Sequence, residues 1–355
     1  MSTIYIEISG GCNAKCPYCA RQRFKERYCG KNMSPDLFEK IIDHLIDNKL
    51  INKERTIGLF NWGDPFLNPK INDILKILKK NNLFGVISSN FIKTPKIDNE
   101  NLHILNQVTL SLSGFSAESY SKIHGANLNS VLDHFEKFHE QIRKYTPKTL
   151  INISWHRYRF NEREFWDAYK YCVRLGIKFY PSLAYLNDGL ELLSYVEGSL
   201  SDERQSVAEK DLFLDDLKKM ISYHAKSSKG YNCHLQDDLV IDEMGQLLLC
   251  CSVTNEDHDC VLGNILQMSV DDILKKKVSH PRCNRCIRSG IPKWFGSTKI
   301  SKPFPFEFTR DYFKVRKLYA IYFFIGKVSK FTKLIKKSTK GETFINWIKA
   351  FFLSN

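Results

Sequence analysis

Apolar residues in the first 185 positions change period repeatedly. Residues 4–8 (IYIEI) form a short strand-like run. From Ser34 the period lengthens. Leu37, Ile41, Ile42 and Leu45 share a helical face, with Ser34 as N-cap and Pro35 in the first turn. Residues 56–62 return to a strand pattern, and 69–81 to a helix with Ile71, Ile74, Leu75 and Leu78 on one side. Further strands are predicted at 86–89, 108–113, 150–155 and 178–184, with helical stretches near 98–105, 116–145 and 162–175. Six strands separated by helical units predict an α/β fold with a parallel sheet, either open and doubly wound or closed toward a barrel. In both, chemistry gathers at the carboxyl ends of the strands.

The alternation stops after residue 186. Residues 187–232 read as a polar, partly helical connector. Residues 233–298 contain six of the eleven cysteines, in short strand and turn patterns. Residues 299–355 are basic and aromatic, with thirteen Lys/Arg against three Asp/Glu. The formal charge of the whole chain is +14, so residues 1–298 carry only +4 and only the tail calls for a basic partner. In that tail Phe344, Ile345, Ile348, Phe351 and Phe352 can share one helical face. A basic amphipathic helix there predicts peripheral contact with an anionic membrane surface or a partner, the alternative being that its apolar residues pack onto the barrel as ordinary extra helices.

Hydrophobic residues at 43% and charged residues at 26% fit a globular chain and exclude disorder, collagen and a multi-span membrane protein. The start, MSTIYIEISGG, has neither a basic n-region nor a long apolar stretch, so a reducing, cytoplasmic setting is expected. There, clustered cysteines are more often metal ligands than disulfides. The longest apolar run, residues 318–326, is about half the length of a membrane span. No nucleic-acid-binding module is recognisable, and no nucleic-acid partner is expected.

Cys12, Cys16 and Cys19 follow the first strand as C-x3-C-x2-C. Soft thiolates favour iron–sulfur or zinc. Zinc loops are usually paired C-x2-C knuckles, and no second pair lies nearby in sequence. Three thiolates would leave one iron of a cubane cluster open to a small molecule. This loop, with Tyr18 before the last cysteine, resembles that of the radical SAM superfamily. Asn61-Trp62-Gly63-Asp64-Pro65 resembles the family's Gly-Gly-Glu-Pro segment, with Trp62 for Gly and Asp64 for Glu. Ser88-Ser89-Asn90 resembles its Ser/Thr-Asn-Gly, with Phe91 for Gly, and the segment 110–114 with Ser119-Tyr120 its fourth strand and following helix.

The resemblance implies a partial (β/α)6 TIM-like barrel over residues 1–186. It implies a 4Fe-4S cluster on Cys12, Cys16 and Cys19, with S-adenosylmethionine chelating the open iron. Reductive cleavage would then give a 5′-deoxyadenosyl radical that takes hydrogen from a substrate C–H bond. The cofactor-binding set expected from it is Tyr18, Asn61, Trp62, Gly63, Asp64, Ser89, Asn90, Ser111 and Arg157. Asp64 stands where the family contacts the methionine amino group, and Arg157 could pair with the carboxylate. His156 is a candidate proton acceptor, and His156 and Arg157 form the candidate catalytic pair. Tyr185 is either near the adenine or simply packed.

In the second cysteine set, Cys233, Gly245 and Cys250 form C-x11-G-x4-C, followed by Cys283-x2-Cys286. This order resembles the twitch or SPASM domains that follow many radical SAM barrels, and implies a second, auxiliary 4Fe-4S cluster on Cys233, Cys250, Cys283 and Cys286. On this segment alone a zinc ribbon is an equal alternative. Cys250 is preferred to Cys251 by spacing, Cys260 complicates the set, and Cys29 and Cys172 read as buried apolar residues. No recognition domain is expected ahead of the first strand, which favours a small-molecule or carbohydrate dehydrogenase or epimerase. The alternatives are a peptide maturase served by a separate recognition protein, and a non-catalytic iron–sulfur sensor. A flavodoxin or ferredoxin is the expected reductant.

Overall fold

A computed structural model describes residues 3–23, 30–52 and 54–299. The first half runs β1 (Ile4–Ile6), α1 (Ala20–Arg23), α2 (Pro35–Asp47), β2 (Thr56–Gly58), α3 (Ile71–Lys80), β3 (Phe84–Ser89), β4 (Leu105–Ser111), α4 (Ala117–His124), α5 (Leu128–Tyr145), β5 (Leu150–Arg157), α6 (Phe165–Leu175) and β6 (Lys178–Leu183). It continues with α7 (Gly189–Glu197), α8 (Asp202–Asp211), α9 (Leu214–Ala225), β7 (Leu239–Ile241), β8 (Gln246–Leu248), β9 (Val261–Asn264), α10 (Val270–Ser279), α11 (Pro281–Ser289) and α12 (Ile291–Lys299). The basic tail and Cys29 lie outside the described residues. Among those described, no helix is long and apolar enough to cross a membrane.

Local chemistry explains the elements. Ser34 caps α2 by accepting the Leu37 amide, and Phe38, Ile41, Ile42 and Leu45 are buried along one side. Each such side chain contributes about 1.5–3 kcal/mol of burial. The predicted helical stretch 116–145 is two helices. Gly125 takes a left-handed conformation (φ +67°) that closes α4, and Asn127 accepts the Ser130 amide to start α5.

Strands β1 to β6 pair in sequence order, all parallel. Right-handed crossovers between successive neighbours put every helix on the same face, so the sheet is singly wound and curls toward a barrel rather than being doubly wound. The cysteine-rich segment extends the same sheet: β7 pairs parallel with β1, and β8 and β9 follow antiparallel, giving nine strands.

Strand parity separates the faces. Trp155 packs on Phe165 of α6 and on Phe179, so Ile153, Trp155 and Arg157 face the helices. Asn152, Ser154 and His156 point the other way. In register, Ser88 lies beside Thr109, Thr109 beside Asn152, Ser111 beside Ser154, and His156 beside Ser182. The helix-free face is therefore lined by hydroxyl, amide and imidazole groups. A filled barrel interior is dominated by Val, Ile and Leu.

Candidate functional site

The loop carrying Cys12, Cys16 and Cys19 is held on three sides. The Asp64 amide donates to the Gly11 carbonyl at 2.7 Å, and the Lys15 amide to the His124 carbonyl at 2.9 Å. The Gly10 amide donates to the Lys31 carbonyl at 2.9 Å. Gly63 is required by this approach, since a Cβ there would stand 1.8 Å from the Ser9 carbonyl oxygen. Beneath it, the carboxylate of Glu7 accepts the Trp62 amide at 2.8 Å and the Gly63 amide.

Two side chains reach the sulfurs. Asn90 Nδ2 donates to Cys12 Sγ at 3.4 Å, and His124 Nδ1 is 3.3 Å from Cys16 Sγ. Burial pushes all three thiols upward, Cys19 to about 12, and Cys12 adds to the push on Cys16 and Cys19. Bare thiolates are disfavoured here, and a bound metal is what would hold them deprotonated. Among the described residues no three His, Cys, Asp or Glu side chains stand close enough to share one metal ion. A cubane cluster spans several ångströms, so its ligands stand farther apart than those of a single ion.

The second set converges on one cavity. Cys233, Cys250, Cys283 and Cys286 all line it, with Arg282 and Phe295 among its other walls. Cys251 and Cys260 do not line it. Cys260 is buried at the start of β9 and receives a hydrogen bond from Arg282 Nη1. Lys277 of α10 is fully buried, donates to the Asp238 carbonyl, and feels Cys250 and Cys283. Neither Lys277 nor Arg282 stood out in the sequence, where Lys277 is one of three consecutive lysines. Cys172 is buried on α6.

Residues 6–179 match the Radical SAM superfamily. This segment belongs to the radical SAM superfamily. The tungsten-containing aldehyde ferredoxin oxidoreductase cofactor-modifying protein of Pyrococcus furiosus is 23% identical over 195 residues, 50% of this chain and 49% of that protein. The chain thus spans about half the length of the curated relative it matches. Streptococcus suis SuiB, solved bound to the precursor peptide SuiA, aligns with a TM-score of 0.51 at 14% identity, covering 82% of this chain and 66% of that one. That likeness is one of fold.

Radical SAM membership implies a 4Fe-4S cluster and S-adenosylmethionine. The residues present fit them: three thiols on one loop, two donors aimed at sulfur, a glycine cradle at Gly63, and Asn61 Nδ2, a buried donor with no partner among the described residues. Asn90, just past β3, touches this loop at Cys12 and Asn13. Asn61 and Trp62 lie in the turn after β2, Ser89 ends β3 bonded to Asp64, and Ser111 ends β4 on the helix-free face.

Two of the expected cofactor-binding side chains are engaged within the protein. The Asp64 carboxylate, 4% exposed, accepts the Phe66 amide, the Ser89 hydroxyl and the Asn90 amide. Its short side chain thereby ties the turn after β2 to the end of β3. Arg157 has the wrong strand parity for the helix-free face. Its guanidinium pairs with Glu162 at 2.6 Å and lies over the ring of Phe213, 4.5 Å from its centre. Tyr18 is packed, its hydroxyl donating to Asp211 at 2.9 Å, and Tyr185 sits against Trp294 and Phe295. His156 does face inward, with Nδ1 2.7 Å from Ser113 Oγ.

Proposed function

We propose that the chain is a radical SAM enzyme that removes hydrogen from a C–H bond of a small polar molecule, with carbohydrates and related polyols as the substrate class. The observation that carries this reading is the helix-free face. Ser88, Thr109, Ser111, Asn152, Ser154 and His156 offer uncharged donors and acceptors along its strands, and His156 is linked to the cysteine loop through Ser113 and His124. Such groups match hydroxyls and position them without a desolvated charge.

S-adenosylmethionine on the reduced cluster supplies a 5′-deoxyadenosyl radical when bound. The protein binds, orients and shields. Burial holds His156 down to about 4, so its imidazole is neutral near pH 7 and can exchange a hydrogen bond with a substrate hydroxyl. Cys233, Cys250, Cys283 and Cys286 would hold an auxiliary 4Fe-4S cluster with no open position. That cluster could accept the electron left on the substrate, making the net change a two-electron dehydrogenation; epimerisation would need a returned hydrogen atom instead. A flavodoxin or ferredoxin would supply the electron for the first cluster.

Anaerobic incubation of the reconstituted chain with S-adenosylmethionine and dithionite should release 5′-deoxyadenosine. With deuterated hexoses and aminocyclitols, label should appear in that product. Label arriving only from a panel of deuterated peptides would overturn the small-molecule reading. No 5′-deoxyadenosine from a chain with its cluster intact would favour a sensor.

A further inference from the structure

Helix α4 ends against the first cysteine loop at a side chain as well as along the backbone. His124 Nδ1 lies 3.3 Å from Cys16 Sγ. A third group decides which ring nitrogen carries the proton. The backbone amide of Ser113 points at His124 Nε2 from 3.2 Å, and an amide N–H can only donate. Nε2 is therefore the lone-pair acceptor. The ring is neutral, its one proton sits on Nδ1, and the Nδ1–H donates to the cysteine sulfur. The imidazole is 2% exposed and stacks on Tyr120, with ring centres 4.5 Å apart. It has no room to turn away.

We propose that His124 is a positioning residue whose N–H···S bond to Cys16 raises the reduction potential of the metal centre held by the first cysteine set. A hydrogen bond to a ligating sulfur draws charge from it and favours the reduced state of the metal. The reduced state is the one a radical SAM protein uses. His124 also shares Ser113 with His156, so the ring touching the ligand and the ring facing the substrate side hang on one residue.

The test uses the full chain reconstituted anaerobically, with iron content measured first and the potential then read by redox titration followed by electron paramagnetic resonance. His124→Phe keeps a ring on Tyr120 and removes the donor. It should shift the reduction equilibrium of the first cluster against the reduced form about tenfold, or about 59 mV for a one-electron couple. His124→Asn places an amide nitrogen near the Nδ1 position and should recover most of the shift. Wild-type protein grown with isotope-labelled histidine should show a histidine nitrogen coupled to the reduced cluster in pulsed resonance spectra. An unchanged potential in fully loaded His124→Phe, or no histidine coupling in the wild type, overturns the proposal. Should His124→Phe lose iron, the labelled wild type alone decides.

Discussion

Trp62 donates its indole N–H to the backbone carbonyl of Val253 across 2.8 Å. Trp62 lies in the turn after β2 that braces the first cysteine loop, and Val253 lines the cavity of the second set. One hydrogen bond thus ties the two cysteine sites, at the position where the family's motif has glycine. Trp62→Phe keeps most of the ring and should cost about 1 kcal/mol, the net worth of a typical hydrogen bond. Trp62→Gly should cost about 3 kcal/mol or more, because the indole's packing goes as well. Chemical denaturation of both variants checks the ordering.

Gly63 is the tightest point of the first site. Any Cβ there would collide with the Ser9 carbonyl at 1.8 Å, a backbone atom that cannot rotate aside. Gly63→Ala should displace the cysteine loop, abolish cleavage of S-adenosylmethionine and lower the bound iron. Iron remaining at the wild-type level would show that the loop tolerates the shift.

Much of this fold was legible because the six strands are apolar runs broken by clear helix starts such as Ser34-Pro35. The continuation of the sheet was not. β7 and β8 are three residues each, and β7 lies beside β1 after more than 230 residues of chain. No local pattern reports a partner at that distance. At the sites, cysteine spacing picked out the thiols that the structure places on one loop and around one cavity. Side-chain direction was not local. Asp64 turns toward Ser89 and Arg157 toward Glu162 and Phe213 because of strand parity and neighbours far along the chain. Nothing in the local sequence pattern singles out His124, whose partner Cys16 lies 108 positions away.

Phe91 holds the backbone of the glycine it stands in for, with φ at +55°. Left-handed backbone costs a non-glycine residue about 1–2 kcal/mol. Its ring offsets this by packing edge-on against Phe66 and Phe135, with centres 5.2 and 5.1 Å away. Losing a buried phenyl costs about 3–5 kcal/mol. Phe91→Gly should therefore be destabilising by about 2–3 kcal/mol despite relaxing the backbone. Phe91→Ala, which keeps the strain and loses the ring, should be worse. A thermal unfolding series that reversed this order would refute the packing account.

Glu7 is 3% exposed, and burial, reinforced by Glu243, pushes its carboxyl up to about 8 from an ordinary 4.5. Glu243 is itself raised to about 7. Between those limits for Glu7 the folded chain keeps a proton that the unfolded chain releases, so stability falls as pH rises through this window. Glu7→Gln imitates the protonated form, and its amide oxygen can still accept the Trp62 and Gly63 amides. The variant's gain in melting temperature over wild type should be small near pH 5 and grow toward pH 8. A gain independent of pH would mean that Glu7 keeps its ordinary titration in the fold.

Lys277 gives the sharpest physical test of the second cysteine set. Its side chain is fully buried, and burial alone pushes its ammonium toward deprotonation. Removing a buried charge has opposite consequences depending on what faces it. If the four cysteines hold a metal as thiolates, the site is anionic and Lys277→Met breaks a buried pair, at about 3–5 kcal/mol. If they remain neutral thiols, the same substitution removes an inadequately matched charge and should be neutral or stabilising. The comparison is therefore Lys277→Met in the metal-loaded and metal-free chain. We expect a large loss of stability and of second-site metal in the loaded form, and little loss or a gain in the stripped one. Equal effects in both forms would mean that Lys277 answers Asp238 rather than the cysteine site.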